Sequence, residues 1–349
     1  MRSARKGLKR RESASLAMEE NMRCNIFCLS VVALLLATQT GAERSATEHK
    51  LTKQDVDAMM TSLSNWGRWG KDDQSGALNL ITPDKRREAV LEVKEGTSIS
   101  LAHNVIKVKI GDSEPFVHRM ISTGQSPDAD AALDAYAVQY HGYTQTHLDA
   151  LAHVFYQGKM FNGFSQQEVT ASGANKLSVI QIKAGILTRG VLMDFPRLFG
   201  VKYLEGKRAI STEDLIAWEK KTGVQIRSGD AVLVRTGRWA RWDSEGPWDV
   251  EKDSAGLDAS TMPWFKKRDV AVMGSDLALD VMPSGVDGVK LPVHLLTIVA
   301  MGVPILDNCD LEKLSEALAV RRRSTFLLTV EPLAVEGGTG SPVNPVATF

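Results

Sequence analysis

The stretch His147-Leu148-Asp149-Ala150-Leu151-Ala152-His153 places two imidazoles and a carboxylate within seven positions. Residues two apart project to the same side of an extended strand, so His147 and Asp149 can converge on one point. If the chain then continues as a helix, Asp149 and His153 stand four apart and share a helical face. Imidazole and carboxylate together suit zinc, manganese or ferrous iron. The segment therefore predicts a divalent-metal site where a strand meets a helix.

The composition is that of an ordinary globular protein and argues against a nucleic-acid partner. Of 349 residues, 43% are hydrophobic and 24% are charged, which is common among soluble domains. Lysine plus arginine and aspartate plus glutamate both number 42, so the formal net charge is zero. A nucleic-acid-binding protein normally carries a basic excess or a basic stripe. We therefore expect no nucleic acid among its partners.

The N-terminal region has the order of a secretory signal peptide. Residues 25–37 are apolar, follow Arg23 and precede the small residues 40–42. The apolar run is too short to cross a bilayer comfortably, and its flanks match the n-region and cleavage site of an exported precursor. We predict that residues 1–42 are a signal peptide and that the mature protein is periplasmic or secreted, without stable membrane association. An uncleaved anchor is the alternative, and the unusually long n-region makes Met22 a second candidate start.

The remaining chain, residues 43–349, predicts a single α/β domain. Only Cys309 would remain after cleavage, so stability must come from the hydrophobic core and not from an internal disulfide. Helices begin at the capping boxes of Thr52 and Ser211 and at Thr82. Apolar or alternating runs predict strands over residues 98–110, 135–144, 190–195, 231–236, 270–274, 304–306 and 325–330. Helical patterns cover residues 211–221, 292–301 and 310–319, and this alternation favours a layered α/β fold. We expect the strand at 135–144 to lead directly into the metal segment.

A second half of the site is expected from a distant segment, because three ligands close in sequence rarely complete a metal centre. His294 opens a largely apolar helix, and Asp307 closes the strand that follows it. A buried histidine needs partners for its nitrogens, so a functional role and a structural, capping role both remain open for His294. Asp276 and Asp280 form another polar cluster after a strand, where we favour turn and capping roles.

These motifs resemble the metal-dependent cyclase family, which includes bacterial kynurenine formamidases and isatin hydrolase. The family motif H-x-G-T-H-x-D-x-P-x-H corresponds here to Tyr143–His153. The resemblance continues through residues 229–237 and 274–276 to the pair His294 and Asp307, and covers most of the chain between Trp66 and Glu331. It implies a layered α/β/β/α swivelling domain, a small-molecule substrate and a homodimer.

The chain departs from the family motif at its first positions. The first motif histidine, a metal ligand in the family, is Tyr143 here, and the motif glycine is Gln145. The late acidic ligand, usually glutamate, is Asp307. His141 lies two residues earlier on the same predicted strand face, so His141 could fill the vacancy, or Tyr143 could place its phenol near the ion. We favour one tightly held ion and leave a second open.

The resemblance implies a metal-dependent hydrolase that acts on a carbon–nitrogen bond of a small amide, aryl formamide or lactam, by attack of metal-bound hydroxide on the carbonyl. An ion such as zinc or manganese activates water and stabilises the developing oxyanion. His147 and Asp149 would then be metal ligands, and Asp307 would complete or bridge the site. His153 would be either a ligand or a general base, and His294 would transfer protons. The alternatives are a binding protein that has lost part of the site and a metal-assisted isomerase or lyase.

Overall fold

The computed structural model describes residues 50–349 except residue 112, so the predicted signal peptide and the domain boundary at residue 43 lie outside the described residues. Lys50–Phe349 group into one compact unit. Within this range, every helix is too short or too polar to span a bilayer.

The fold is built around one large mixed sheet. The strands are β1 (Ser98–Ser100), β2 (Val117–Ser122), β3 (Leu133–Ala137), β4 (His147–Asp149), β5 (Val169–Thr170), β6 (Gly173–Ala174), β7 (Ile186–Asp194), β8 (Ala209–Ile210), β9 (Ala231–Arg235), β10 (Gly256–Leu257), β11 (Val272–Ser275), β12 (Ile305–Asp307), β13 (Thr325–Val330), β14 (Gly340–Pro342) and β15 (Val346–Thr348). The α-helices are α1 (Lys53–Ser62), α2 (Pro83–Val90), α3 (Phe195–Phe199), α4 (Thr212–Thr222), α5 (Arg238–Glu245), α6 (Met262–Lys267), α7 (Pro292–His294) and α8 (Glu312–Arg321). A π-helical segment, Leu295–Ala300, continues α7.

The large sheet has nine strands in the order β1-β15-β13-β7-β9-β11-β12-β4-β14. The four central strands, β7, β9, β11 and β12, run parallel to one another. Parallel neighbours need a long crossover connection, and α3 to α7 lie in these connections. Strand β4 runs antiparallel to both β12 and β14. The β4 segment therefore sits between two strands that arrive from the C-terminal third of the chain.

Side chains of the central strands alternate between two hydrophobic cores, one on each face of the sheet. Val232 and Val234 of β9 belong to one core, whereas Leu233 belongs to the other. A sheet that is covered on both faces needs apolar residues at every strand position. Leu148 of β4 enters the same core as Leu233. Because neighbouring strand residues face opposite ways, Leu148 anchors β4 while the side chains before and after it face the other way.

The structure confirms the α/β class and most of the predicted elements. Both predicted capping boxes are formed, with Asp55 bonded to Thr52 at the start of α1 and Asp214 bonded to Ser211 at the start of α4. Thr82 caps α2, which has proline at its first position. The predicted strands after residue 186 correspond to β7, β9, β11, β12 and β13. Cys309 is buried and unpaired, as expected.

Two strand predictions are wrong in extent. The strand expected over residues 98–110 ends at Ser100, because Leu101 already donates its N–H to Pro345 outside the ladder, and Val105 and Val108 lie exposed. The strand expected over residues 135–144 is confined to β3, which pairs with β2 in a separate hairpin. Hydrophobic alternation predicts a strand only where another strand is available to pair with it.

Candidate metal centre

Strand β4 supplies the first two predicted ligands from one face. His147 and Asp149 lie on the side opposite Leu148, with His147 Nε2 3.3 Å from Asp149 Oδ1. Both side chains are almost completely buried. The Nδ1 of His147 donates to the carbonyl of Gln145 at 2.8 Å. This bond leaves Nε2 to face the site, which is the usual arrangement of a metal-binding imidazole.

Asp307 joins these residues through the register of the sheet. It stands directly opposite His147 in the antiparallel pair of β12 and β4. Opposed residues of such a pair project to the same face and bring their Cβ atoms to within about 5 Å of each other. The two segments that were expected to form the two halves of the site are therefore neighbours in the sheet.

His153 also reaches the site, but not from a helix. The helix expected after Asp149 is absent: residues 151–153 form a turn in which His153 N donates to Ala150 O at 3.0 Å. The N–H groups of Ala150 and Ala152 donate to the distant carbonyls of Thr339 and Leu177, and these bonds hold the chain in this turn. The turn still brings His153 Nε2 to 3.9 Å from Asp149 Oδ2 and leaves 31% of the side chain exposed. His153 therefore lies at the solvent side of the site.

His294 approaches from the buried side, held by Asp280. Its Nδ1 lies 2.8 Å from Asp280 Oδ2 and its Nε2 lies 3.2 Å from Asp307 Oδ2. Asp280 also accepts the backbone N–H groups of Val293 and His294, so it caps α7 as expected for this cluster. That the same carboxylate also orients the histidine has no signal in the sequence. A carboxylate behind an imidazole fixes its tautomer and its direction.

His141 and Tyr143 point to different places, which corrects the expectation that they share a strand face. Residues 141–145 form a turn and not a strand. His141 Nδ1 lies 2.9 Å from Asp149 Oδ1, and its ring stacks on that of His153 with the centroids 3.8 Å apart. The hydroxyl of Tyr143 instead interacts with the carboxylate of Glu251, and burial together with that carboxylate raises the pKa of Tyr143.

Two buried side chains hold this turn in place, and the sequence analysis missed both. Asn308 donates to the carbonyls of Gly142 at 2.8 Å and Gln145 at 3.0 Å. Arg238 donates to the carbonyl of Tyr143 and to Asn308 Oδ1. These side-chain donors satisfy carbonyls that a neighbouring strand would otherwise bond. The position of Asn308 directly after Asp307 is the one sequence signal that pointed to it.

Asp276 has the capping role that was favoured for it. Its carboxylate accepts the backbone N–H groups of Thr236, Gly237 and Arg238 at the start of α5. The carboxylate thereby fixes the helix that carries Arg238, and it contributes to the site only through this support.

The electrostatics of the cluster separate its histidines into two kinds. Burial opposes charge at His147, but Asp149 outweighs it and raises the pKa of His147 to about 8. Burial likewise opposes charge at His294, yet Asp307 and Asp280 raise its pKa well above the ordinary value. At His153 burial prevails over Asp149 and lowers the pKa to about 4. His153 is thus neutral at neutral pH, in contrast to His147 and His294.

The donor set fits a divalent cation. Two groups have ligand atoms that all lie within 4.8 Å of one another, and both contain Asp149: one adds His141 and His147, and the other adds His294 and Asp307. Asp149 Oδ1, Asp307 Oδ1 and His141 Nδ1 are buried without a hydrogen-bond partner among the described residues. Buried polar atoms normally have partners, so these open ligand atoms are those that a cation would satisfy. The predicted residues His147, Asp149, His153, His294 and Asp307 all meet here; their individual roles remain predictions.

Comparison with known proteins places this arrangement among related folds. The Cyclase family model matches residues 85–280. The crystal structure of a novel cyclase has 29% identity and a TM-score of 0.74, and the match covers 82% of this chain and 99% of that one. Isatin hydrolase A from Ralstonia solanacearum has 19% identity and a TM-score of 0.53, over 72% of this chain and 91% of that one. An isatin hydrolase bound to the product analogue thioisatinate has 17% identity and a TM-score of 0.52, over 74% and 93%. No curated protein matches the chain.

Proposed function

The chain belongs to the Cyclase family, whose model matches more than half of its length, and we propose that it is a divalent-metal-dependent hydrolase of carbon–nitrogen bonds in small amides, aryl formamides or lactams. The observation that carries the proposal is the convergence of open carboxylate oxygens and imidazole nitrogens on one buried point. A bound divalent ion such as zinc or manganese would activate water and polarise a carbonyl there. Two of the similar structures are isatin hydrolases, which motivates the choice of lactams and amides.

The position and burial of each residue in the cluster determine the role that we propose for it. His147, Asp149 and Asp307 are the proposed ligands, since they are buried and face one another across β4 and β12. His153 is the proposed general base. It lies at the solvent side, and its lowered pKa leaves a free lone pair at neutral pH, although the best match for proton transfer is a pKa near the working pH.

The buried His294 fits either of two roles. Proton transfer is the role predicted from the sequence, and the contact of His294 with Asp307 supports it. Its Nε2 also belongs to a group that could hold an ion, with Asp280 orienting the ring from behind. The geometry favours the ligand role, because a fully enclosed imidazole cannot exchange protons readily with solvent.

The hydrolase is tested by metal analysis followed by a substrate screen. The purified protein should contain a divalent metal by mass spectrometry, and chelation should abolish hydrolysis of aryl formamides or lactams until zinc or manganese is restored. Replacement of the exposed His118, which pairs with Asp134 in the β2–β3 hairpin at 2.8 Å, provides the matched control: His118→Ala should keep both metal and activity. A protein that binds no metal contradicts the proposal. A metal-loaded protein that binds these compounds without turning them over would support the binding-protein alternative.

Export and dimerisation complete the proposed function. The predicted signal peptide supports a periplasmic or secreted enzyme that acts on an environmental small molecule, and N-terminal sequencing of the mature protein should start near residue 43.

The β2–β3 hairpin exposes Val117, Ile121, Leu133 and Tyr136, each with more than half of its surface accessible. The pairing sets Val117 opposite Ala137 and Tyr136 opposite His118, so exposed apolar side chains lie on both faces of this hairpin. Burial of such apolar surface favours association, which supports a homodimer. Light scattering should show two chains, and a monomer would contradict this part.

A further inference from the structure

We infer that His141 is the metal ligand that replaces the histidine missing from position 143. This inference rests on the proposed metal-dependent function and adds to it one residue from outside the H-x-D-x-x-x-H pattern. The turn at residues 141–145 exchanges the two positions: it carries the His141 side chain to Asp149, whereas the Tyr143 hydroxyl interacts with Glu251.

The distance between His141 and Asp149 requires a cation or a proton between them. His141 Nδ1 and Asp149 Oδ1 are 2.9 Å apart, yet both atoms are without a hydrogen-bond partner of acceptable geometry among the described residues. The other ring nitrogen, Nε2, lies 3.0 Å from Thr339 Oγ1. If Nε2 donates its hydrogen to Thr339, the Nδ1 lone pair faces the carboxylate. Two acceptor atoms at this distance repel each other unless a positive charge lies between them.

The surroundings of His141 hold its ring in a direction suitable for a ligand. Thr339 bonds Nε2 at the edge of the ring, and the His153 ring stacks on one of its faces. Gly340 of β14 leaves the space that the ring needs, since a Cβ at this position would lie 2.9 Å from His141 Cε1. Strand β14 pairs with β4 so that Gly340 stands opposite Asp149. The C-terminal strand therefore positions His141 against the same aspartate that the motif provides.

Tyr143 has partners outside both ligand groups in the observed arrangement. Arg238 holds its carbonyl, and Glu251 interacts with its hydroxyl. Glu251 lies on a different segment from any member of the two ligand groups. The phenol therefore pairs with a carboxylate outside both ligand groups, whereas His141 Nδ1 faces Asp149, which belongs to both.

The test measures metal affinity directly and does not depend on turnover. The metal is removed from the purified protein, Co²⁺ is added back, and binding is followed by chelator competition and by visible absorption. His141→Ala and His141→Gln should each weaken Co²⁺ binding by about a hundredfold or more and alter the spectrum, since loss of even an outer partner of a ligand typically costs about 10–100-fold. Thr339→Val, which removes that outer partner, should weaken binding by about tenfold. Tyr143→Phe and the control His118→Ala should bind as the wild type does, and circular dichroism checks that each variant is folded.

The outcomes separate this inference from the proposed function. If His147→Ala loses Co²⁺ while both folded His141 variants keep wild-type affinity and spectrum, the His141 assignment is overturned and the metal-dependent function stands. If Tyr143→Phe loses the ion and the His141 variants retain it, the phenol is the ligand. If the wild-type protein binds no Co²⁺, the proposed function fails and this inference fails with it.

Discussion

Two buried aspartates in this molecule, Asp149 and Asp230, have opposite kinds of partner. Asp230 meets permanent cations: Lys85 Nζ lies 2.5 Å away, and Arg189 donates through Nε at 3.0 Å and Nη2 at 2.6 Å. Arg227 N completes the set at 2.8 Å. Asp149 meets only imidazoles, and its Oδ1 has no hydrogen-bond partner in the described part of the chain. Asp230 is thus saturated by the protein itself, whereas Asp149 is surrounded by groups that can lose a proton and accept a metal.

The comparison shows how to distinguish a structural charge from a functional one. Both carboxylates lose their hydration when they are buried, and each needs nearby positive charge to offset this unfavourable free energy. At Asp230 that charge belongs to side chains that hold it permanently. At Asp149 the positive charge must be supplied by protons on histidine or by a bound cation. A metal ion can therefore bind or leave at Asp149 while the fold remains.

The largest effect is expected from replacement of Asp149. Asp149→Asn removes the carboxylate shared by both ligand groups, so the variant should lose its metal and the hydrolysis rate should fall by about a thousandfold or more, the loss expected when several kcal/mol of metal catalysis disappear. Folding should be affected less than by the loss of Asp230, because the histidines around Asp149 can lose their proton, whereas a permanent cation cannot. Metal content, rate and thermal melting measure the three effects. Full metal occupancy in this variant would contradict the assignment.

Asp230→Asn should show the reverse pattern. It leaves Lys85 and Arg189 buried without their counter-charge, and loss of one partner from a buried ion pair typically costs about 3–5 kcal/mol of unfolding free energy. The molecules that remain folded should bind metal normally. Denaturant unfolding and metal content per folded molecule check this. A stable Asp230→Asn variant that lacks metal would remove the distinction between the two aspartates.

His153→Gln tests whether the half-exposed histidine is a base or a ligand. As a base, its replacement should lower the rate by about a hundredfold or more at unchanged metal content. Because burial lowers the pKa of His153 to about 4, the wild-type residue is active above that pH and is lost as a base only when the pH falls through it. The variant should therefore lack this acidic limb of the rate profile. Loss of metal would instead assign His153 as a ligand.

His294→Gln tests whether His294 is a metal ligand or a proton-transfer residue. If His294 is a ligand oriented by Asp280, the variant should bind metal at least about 10–100-fold more weakly, by analogy with losses at outer partners of ligands. Chelator competition provides the measurement. Wild-type affinity combined with a reduced rate would return His294 to the proton-transfer role predicted from the sequence.

The smallest expected effect is the pH dependence of metal binding. In the metal-free protein the pKa of His147 is raised to about 8, so the charged form stabilises the fold below the unfolded pKa of about 6.5, and this contribution is lost as the pH rises through the folded value. Metal must displace the same proton. Apparent affinity should therefore rise by about tenfold per pH unit for each proton released and level off above the folded pKa. Calorimetry in buffers of different ionisation enthalpy counts the protons; no release at neutral pH would contradict this view.

Much of the framework was predictable because it depends on local rules. The capping residues Thr52 and Ser211 bond to N–H groups only three positions away, and such bonds form whatever the distant chain does. The apolar run of β9 identifies a strand buried on both faces. His147 and Asp149 share a face because side chains of any strand alternate. These features are visible in one short window of sequence.

The sequence by itself determined the α/β class, the starts of the capped helices and the strands at the centre of the sheet, and it predicted which residues have the chemistry to bind a metal. Only the tertiary structure decided that Asp307 lies opposite His147, that a turn and not a helix delivers His153, and that His141 takes the place next to Asp149. The physical reason is that these positions depend on partners far along the chain. Asn308, Arg238 and Thr339 bond to the segments around β4, and such long-range bonds override the local tendencies that a sequence pattern records.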